Sequence, residues 1–441
     1  MIYLPQWLSS LFHGDGLKTK LVRGALGVGG LKLLSLPLTL ATSVILARGL
    51  GPEGYGQYVF VMAIVSLLAL PLGPGLGQLV TREVAKYQND EDWALFRGLM
   101  RRAHQWILLG STVMGCGIAL IASRYASWAV DDRWSLLLIA VLMLPLLGLN
   151  ALRSSTLRGL RLVFFAQLPE LLVRPALHLT IAGCLLLAGI LNPATALASQ
   201  IAGTALAFGV GAWLLLRLKP LEAKQGEPTY RYGKWVRSLL PFTLLAAVSN
   251  LNGQIGILIL GWLGADKDVA ALQIAISASM LVALTLVIVN LVISPYIARA
   301  YRDRDKQHLQ RLSRNSVRAA LTVAVPIALL LIVLGGPIID VVYGEAYRSD
   351  VMLPLQILVF GQMLNVAFGS VGLLLTMSGF ERHTLVGQVV ALFVNLLAAI
   401  ILIPPFGAIG AALSIVLGLV TWNVFLAFGV VRKVGIKPGF L

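Results

Sequence analysis

Apolar stretches of about 20 residues recur along the whole chain, each long enough to cross the hydrocarbon core of a bilayer. No other feature constrains the fold as strongly. In lipid every backbone N–H and C=O must be paired within the protein, so only helices or closed barrels can span. A barrel strand would read as about ten alternating residues; these runs are longer and do not alternate. Composition agrees: 58% of the 441 residues are hydrophobic and 12% are charged, whereas a soluble domain carries about 25% charged residues. The predicted class is an all-α polytopic membrane protein. Twelve spans are read, at about 24–47, 57–80, 104–123, 135–152, 164–189, 194–216, 238–263, 270–297, 317–338, 352–376, 384–403 and 407–430.

The leader "MIYLPQWLSSLFHGDGLKTK" is broken by Pro5 and has no early basic region, so it does not read as a cleavable signal peptide. Its Trp7, Leu8, Leu11 and Phe12 suit either a short interfacial helix or a frayed start. Cys116 and Cys184 both fall in apolar runs, with neither a disulfide framework nor metal spacing.

The net charge is +16, and its distribution gives it meaning. The loops alternate. One set, which includes Arg82, Lys86, Arg97, Arg101, Arg102, Arg153, Arg158, Arg161, Lys219, Arg231 and the run from Arg299 to Arg318, holds 28 of the 35 basic residues. The other set holds only Arg48, Arg124, Arg133, Lys267 and Arg348. By the positive-inside rule both termini are cytoplasmic. The basic excess then reports topology and contact with anionic membrane lipids. No aromatics interleave with it, so no nucleic acid is expected as a partner.

The chain reads as a duplication. Shifted by 213 positions, Gly51 falls on Gly264, Ala85 on Ala298, Lys86 on Arg299 and Arg101 on Arg314. Each half has six spans, so both enter from the same side, and a pseudo-two-fold axis along the membrane normal would relate them. The expected division is an N-terminal lobe over 1–217, a cytoplasmic linker over 218–235 and a C-terminal lobe over 236–441. Prolines inside spans (Pro37, Pro71, Pro74, Pro175, Pro241, Pro295, Pro326) each remove a backbone hydrogen bond. That loss is tolerated where neighbours or a water-filled cavity serve the freed carbonyl.

Charge inside a span is rare, because it costs about 2.5–3.5 kcal/mol at mid-bilayer. Three residues stand out: Lys32, Glu170 and Arg174. In "AQLPELLVRPALHLT" the polar residues Gln167, Glu170, Arg174 and His178 recur every three or four positions, a single stripe on span five. Glu170 precedes Arg174 by four, the favoured direction for an ion pair. Lys32 heads its own stripe with Ser35, Thr39 and Thr42; it lies near its span's start, where a lysine can also snorkel to water. The second half carries amides instead, among them Asn250, Gln254, Asn290, Gln362, Asn365, Gln388 and Asn395. Such amides bridge helices or line a polar path. A cationic first lobe and a neutral polar second lobe suit a ligand with an anionic part and a hydroxyl-rich part. Arg174 and Lys32 are the candidates for a diphosphate. Asn250, Asn365, Asn395 and Gln388 are the candidates for sugar contacts or a substrate path. Glu170 and His178 are the candidates for coupling, with proton or sodium left open. No catalytic residue, metal site or other cofactor is read.

"LARGLGPEGYGQYVF" (46–60), followed by "GLGQLVTREVAKY" (75–87), resembles the polysaccharide-repeat flippases of the Wzx type. These belong to the multidrug/oligosaccharidyl-lipid/polysaccharide (MOP) exporter superfamily, which also holds the MATE drug exporters. The resemblance implies a V-shaped bundle in the bacterial inner membrane. It would move undecaprenyl-diphosphate-linked oligosaccharide to the periplasmic leaflet by alternating access, for O-antigen or exopolysaccharide assembly. It implies a polysaccharide polymerase and chain-length machinery as partners. It also implies a cationic central cavity, but no family motif fixes Lys32 or Arg174, which rest on the physical reading. Within the turn, Gly51, Gly54 and Gly56 permit positive φ and Pro52 starts the bend, a structural role.

Three alternatives remain. A multidrug exporter of the same superfamily would need a negative cavity, and the only deep acid here has an arginine beside it. A lipid II flippase usually carries two further helices. A membrane glycosyltransferase or polymerase, the alternative from another class, would need a sizeable outer loop, and the outer loops are short. Its acidic pair would be Asp131–Asp132, which reads better as a cap on span four. The chain is therefore expected not to be an enzyme.

Overall fold

The structure, a computed structural model, describes residues 17–125, 133–220, 222 and 227–439, with side chains from residue 29 onward except at 124, 125 and 245. The leader, Asp131–Asp132 and Lys224 lie outside the described residues. The elements are α1 (Leu17–Leu68), α2 (Pro74–Asn89), α3 (Trp93–Tyr125), α4 (Arg133–Val141), α5 (Met143–Gly159), α6 (Val163–Leu168), a π turn (Pro169–Val173), α7 (Arg174–Leu187) and α8 (Pro193–Leu218). The second half continues with α9 (Tyr232–Trp262), α10 (Asp266–Arg302), α11 (Lys306–Val333), α12 (Gly335–Val342), a 3₁₀ turn (Glu345–Tyr347), α13 (Arg348–Phe368), α14 (Val371–Met377), α15 (Glu381–Gly429) and a π turn (Val430–Val434). There is no strand among the described residues.

Among the described residues, ten helical stretches are long and apolar enough to cross a membrane. Two of them, Gly29–Leu68 and Glu381–Val434, run for 40 and 54 residues, about twice a single crossing. Both bend at a glycine that leaves helical geometry, Gly51 (φ 68°) and Gly407 (φ 53°). Each therefore supplies two passes, which makes twelve. Local sequence explains where helices start. Asn192 accepts from the Thr195 N–H at 2.9 Å while Thr195 Oγ1 accepts from the Asn192 N–H at 2.8 Å, a capping box ahead of Pro193. Asp305 caps α11 by accepting from the His308 N–H at 2.8 Å.

The duplication is written in the backbone. Positive φ recurs at matched turns: Gly51 and Gly264, then Glu91 and Arg304, each pair 213 positions apart. Arg161 and Gly379, then Gly189 and Gly407, follow at a separation of 218. Left-handed φ is costly for non-glycine residues, so its return at Glu91 (56°) and Arg304 (55°) marks the same turn built twice.

By internal packing the chain forms two compact units, one from the start to Ile45 plus Leu68–Ala246, the other from Leu46–Leu67 plus Ala247–Leu441. This division differs from one at the linker: part of span two joins the later residues, and the first unit runs into α9. In the first unit the core at the ends of α2, α3 and α9 includes Leu79, Tyr87, Leu99, Ile107 and Trp235, all essentially buried. A buried acid sits within it. Glu83 accepts from Arg82 NH2 (2.8 Å), from Tyr87 Oη (3.1 Å) and from Lys234 Nζ (3.3 Å), and Trp235 Nε1 donates to Tyr87 Oη (3.0 Å). Burial raises the Glu83 carboxyl, but the donors from Arg82, Tyr87 and Lys234 outweigh it and hold the group below its usual value.

In the second unit the two turns that the 213-residue repeat pairs lie against each other. Gly56 leaves room for the Asp266 backbone and Gly261 for the Phe60 ring, and Lys267 meets Glu53 at 3.3 Å. Arg48 donates to the carbonyls of Val341 and Val342, and Tyr347 Oη donates to the Ala47 carbonyl at 2.6 Å. A second core, with Ile297, Leu374, Leu375, Leu426 and Val430, joins α10, α14 and α15.

Candidate functional site

Span five is where the helix is least regular. Pro169 and Pro175 both lack an N–H, and between them the helix widens into the π turn Pro169–Val173, whose closing bond runs from the Arg174 N–H to the Pro169 carbonyl. Such single-turn widenings cluster at functional sites. This one carries Glu170 and delivers Arg174 directly after it. Glu170 Oε2 lies 3.3 Å from Arg174 NH1, and Glu170 Oε1 lies 3.5 Å from Arg153 NH2.

Arg153 was grouped above with the basic loops. Helix α5 continues to Gly159, so Arg153 is inside it, and its side chain is only 2% exposed, against 26% for Glu170 and 33% for Arg174. Its NH2 also donates to Asn150 Oδ1 at 3.3 Å, and Asn150 Nδ2 donates to the Thr204 carbonyl at 3.4 Å. Gly211 on α8 makes room for the guanidinium, which occupies the space a Cβ would take. One carboxylate thus lies between two guanidinium groups, with one arginine sealed in and the other partly open. The trio carries a net positive charge. It can accept an anion at Arg174 while Arg153 continues to hold Glu170.

His178 sits one turn beyond Arg174, 6% exposed, with Nε2 unpartnered and its backbone against Gly203. Lys32 is separate. It is exposed and makes no ion pair among the described residues. The hydroxyls of its stripe are spent on their own helix: Ser35 donates to the Lys32 carbonyl (2.7 Å), Thr39 to Ser35 (2.8 Å) and Thr42 to Leu38 (2.8 Å). Ser35 and Thr42 are buried while Lys32 and Thr39 are exposed, so the stripe does not present one open face.

Amides of the second unit gather around a cavity of about 280 Å³, whose lining includes Asn252, Gln362, Gln388 and Trp422. Of the four amides singled out above, Gln388 alone lines it, donating to Ser249 Oγ at 2.7 Å. Asn395 stands behind the wall, 1% exposed, and donates to the carbonyl (3.0 Å) and Oδ1 (2.9 Å) of Asn252. Asn365 donates to Gln362 Oε1 at 3.3 Å and accepts from Asn423 Nδ2 at 3.0 Å. Asn250 is half-buried on α9 and does not line the cavity. Sequence reasoning missed Asn252 and Trp422. Two asparagines two apart point to different helix faces, and only the fold tells which one turns inward. An uncharged cavity with amides that both donate and accept, beside one aromatic face, has the means to bind hydroxyl-rich rings.

A family model described as "Polysaccharide biosynthesis protein" matches residues 45–352, well over half the chain. The chain belongs to that family. This polysaccharide biosynthesis protein is 21% identical over 397 residues to the probable low-salt glycan biosynthesis flippase Agl15 of Haloferax volcanii, covering 89% of this chain and 79% of that one. Its fold matches an inward-facing multidrug resistance MATE transporter of the MOP superfamily with a TM-score of 0.75 at 16% identity, over 91% of this chain and 95% of that one. It also matches the lipid II flippase MurJ in its inward closed conformation, with a TM-score of 0.73 at 16% identity, over 91% and 87%. The fold is therefore that of the MOP exporters, as the turn after span one and the twelve-span plan imply.

Proposed function

We propose that the chain is a flippase that carries undecaprenyl-diphosphate-linked oligosaccharide repeat units from the cytoplasmic to the periplasmic leaflet by alternating access. The observation that carries this reading is the pair of chemistries on one chain: the net-positive Arg153–Glu170–Arg174 trio in one unit and the uncharged amide and tryptophan cavity in the other. Family membership places the protein in polysaccharide biosynthesis, and a relative carries the name of a glycan biosynthesis flippase.

Arg174 is the diphosphate ligand. Its guanidinium offers a planar fork that matches phosphate oxygens, and it is the more open of the two arginines. The arriving anion competes with Glu170, which stays held by Arg153. Lys32, exposed near a span end, makes the first contact with the headgroup. Gln388 contacts the sugar. Asn395, Asn365 and Asn250 act behind it by orienting Asn252, Gln362 and their helices. Coupling falls to Glu170: protonation would remove the charge that holds Arg174 and free that fork for phosphate, with His178, one turn beyond Arg174, as a second proton acceptor. No bond is made or broken, so the chain is a carrier and not an enzyme. It works in the bacterial inner membrane with both termini cytoplasmic, beside a polymerase and its chain-length machinery.

A drug exporter is disfavoured because a cationic drug would meet an arginine excess at this trio. The proposal is tested in cells that depend on this protein for surface polysaccharide. Arg174→Ala, inserted at wild-type level, is expected to abolish the polymer and let lipid-linked repeat units accumulate inside. Normal polymer at matched level would reject the assignment.

A further inference from the structure

The first unit holds a second cavity, of about 470 Å³, between the start of α3, the end of α5 and the end of α8. Its volume lies within the range of ligand pockets, about 300–1,000 Å³. Most of its wall is apolar, with Phe208 and Leu216 among the lining. Leu216 is 60% exposed, so the cavity opens beside the lipid-facing surface. The polar part of the wall is wholly basic or neutral: Arg97, His104, Arg153 and Lys219 line it, and no acid does.

The arginines here are underused. Arg97 Nε and NH1 and Arg153 Nε and NH1 are buried and have no hydrogen-bond partner. Arg97 spends only NH2, on the Glu227 carbonyl at 3.4 Å, and Arg153 spends only NH2, on Asn150 and Glu170. Buried donors without partners are costly and uncommon in native proteins. Two cationic groups with two such donors each, on one cavity, call for an anion with several acceptor oxygens. His104 Nδ1 bonds the Met100 carbonyl at 2.7 Å, which leaves Nε2 for the same anion.

We propose that this cavity binds an anionic glycerophospholipid of the membrane leaflet. Its phosphate lies among Arg97, Arg153 and Lys219, and the upper part of an acyl chain runs along Phe208 and Leu216. Basic pockets between helices at the cytoplasmic side take acidic lipid headgroups in this way, and the helix ends that form this one carry the basic loops. The site goes beyond the flippase reading and does not depend on it, because the lipid is a resident and not the cargo. Arg153 joins the two: a phosphate on its Nε and NH1 fixes the guanidinium that holds Glu170 through NH2.

Native mass spectrometry of the delipidated full-length protein, titrated with phosphatidylglycerol or phosphatidylethanolamine, tests this. One tightly held phosphatidylglycerol is expected, preferred at least about tenfold, because phosphatidylethanolamine brings the same phosphate together with an ammonium that the basic wall repels. Arg97→Gln combined with Lys219→Gln should reduce that preference to about twofold or less. Ala212→Trp, which fills the cavity, should abolish the bound copy, and Arg432→Gln, in the other unit, should keep it. Melting temperatures identify any variant that fails to fold; if Ala212→Trp fails, the double glutamine variant decides. Equal retention of the two lipids by wild type, or undiminished phosphatidylglycerol in the folded variants, overturns the proposal. Binding of undecaprenyl diphosphate with exclusion of phosphatidylglycerol also overturns it, since the cavity would then belong to the cargo.

Discussion

Three side chains, Arg153, Glu170 and Arg174, form the proposed anion site. Glu170 and Arg174 were legible from their spacing, because four residues is one helical turn and a polar stripe in lipid must face protein or water. Arg153 was not. An arginine at the end of an apolar run, followed by Arg158 and Arg161, reads as a topological signal, and only the length of α5 shows it to be inside. The run Ser154–Ser155–Thr156 beside it, all buried, was the one hint of a polar interior there. Arg174→Ala should reduce transport at least about tenfold, as expected for loss of one charged hydrogen bond, and Arg174→Lys should restore only part of it, since the fork is lost. Lys32→Ala should impair export less than Arg174→Ala, a ranking that export assays at matched protein level check. Gly211→Ala should behave like a weakened Arg153, because the added methyl takes the guanidinium's place. Wild-type export by Gly211→Ala would show that Arg153 need not sit where it does.

At the scale of elements, glycines and buried acids hold the turns and helix ends. The kink at Gly51 was readable from "GLGPEG" as a turn, and the break at 404–406 between spans eleven and twelve was readable from "IPPFGAIG"; that Gly407 is the residue which leaves helical geometry was not. A substitution at Gly407 is strained twice: by φ, and by the Asp268 carboxylate where a Cβ would stand. Gly407→Ala should cost about 1–3 kcal/mol, measurable as a lowered melting temperature in detergent. The Glu83 cluster joins α2 to α9, and its pH dependence has a definite sign. The folded carboxyl lies below its unfolded value of about 4.3, so its stabilisation is complete above that pH and lost as pH falls through the folded value. Wild type should lose melting temperature below about pH 4.3 more steeply than Glu83→Gln. Parallel curves would assign the acid sensitivity elsewhere. Burial pushes Tyr87 up to about 12, so it remains a donor to Glu83 throughout this range.

At the scale of the molecule, the number of passes and their duplication were legible because lipid imposes one length on every span. Which residues pack together was not legible: Leu46–Leu67 joins the later half of the chain, a long-range choice that no local pattern encodes. The same holds for the second unit's cavity. Gln362 and Gln388 were named from the sequence and Asn252 was not, because which amides form the wall depends on helix rotation. Trp422→Ala and Gln388→Ala should slow movement of a sugar-bearing lipid while leaving undecaprenyl diphosphate without sugar nearly unaffected. Equal slowing of both would remove the cavity from sugar recognition.

The most direct test of the flippase reading is translocation of a fluorescent undecaprenyl-diphosphate-linked oligosaccharide in vesicles containing the purified protein. Wild-type vesicles should expose the label on the opposite leaflet well above the rate of protein-free vesicles. Arg174→Ala vesicles with the same amount of inserted protein should fall back towards that background. Wild-type vesicles no faster than protein-free ones, under either a proton or a sodium gradient, would contradict the account.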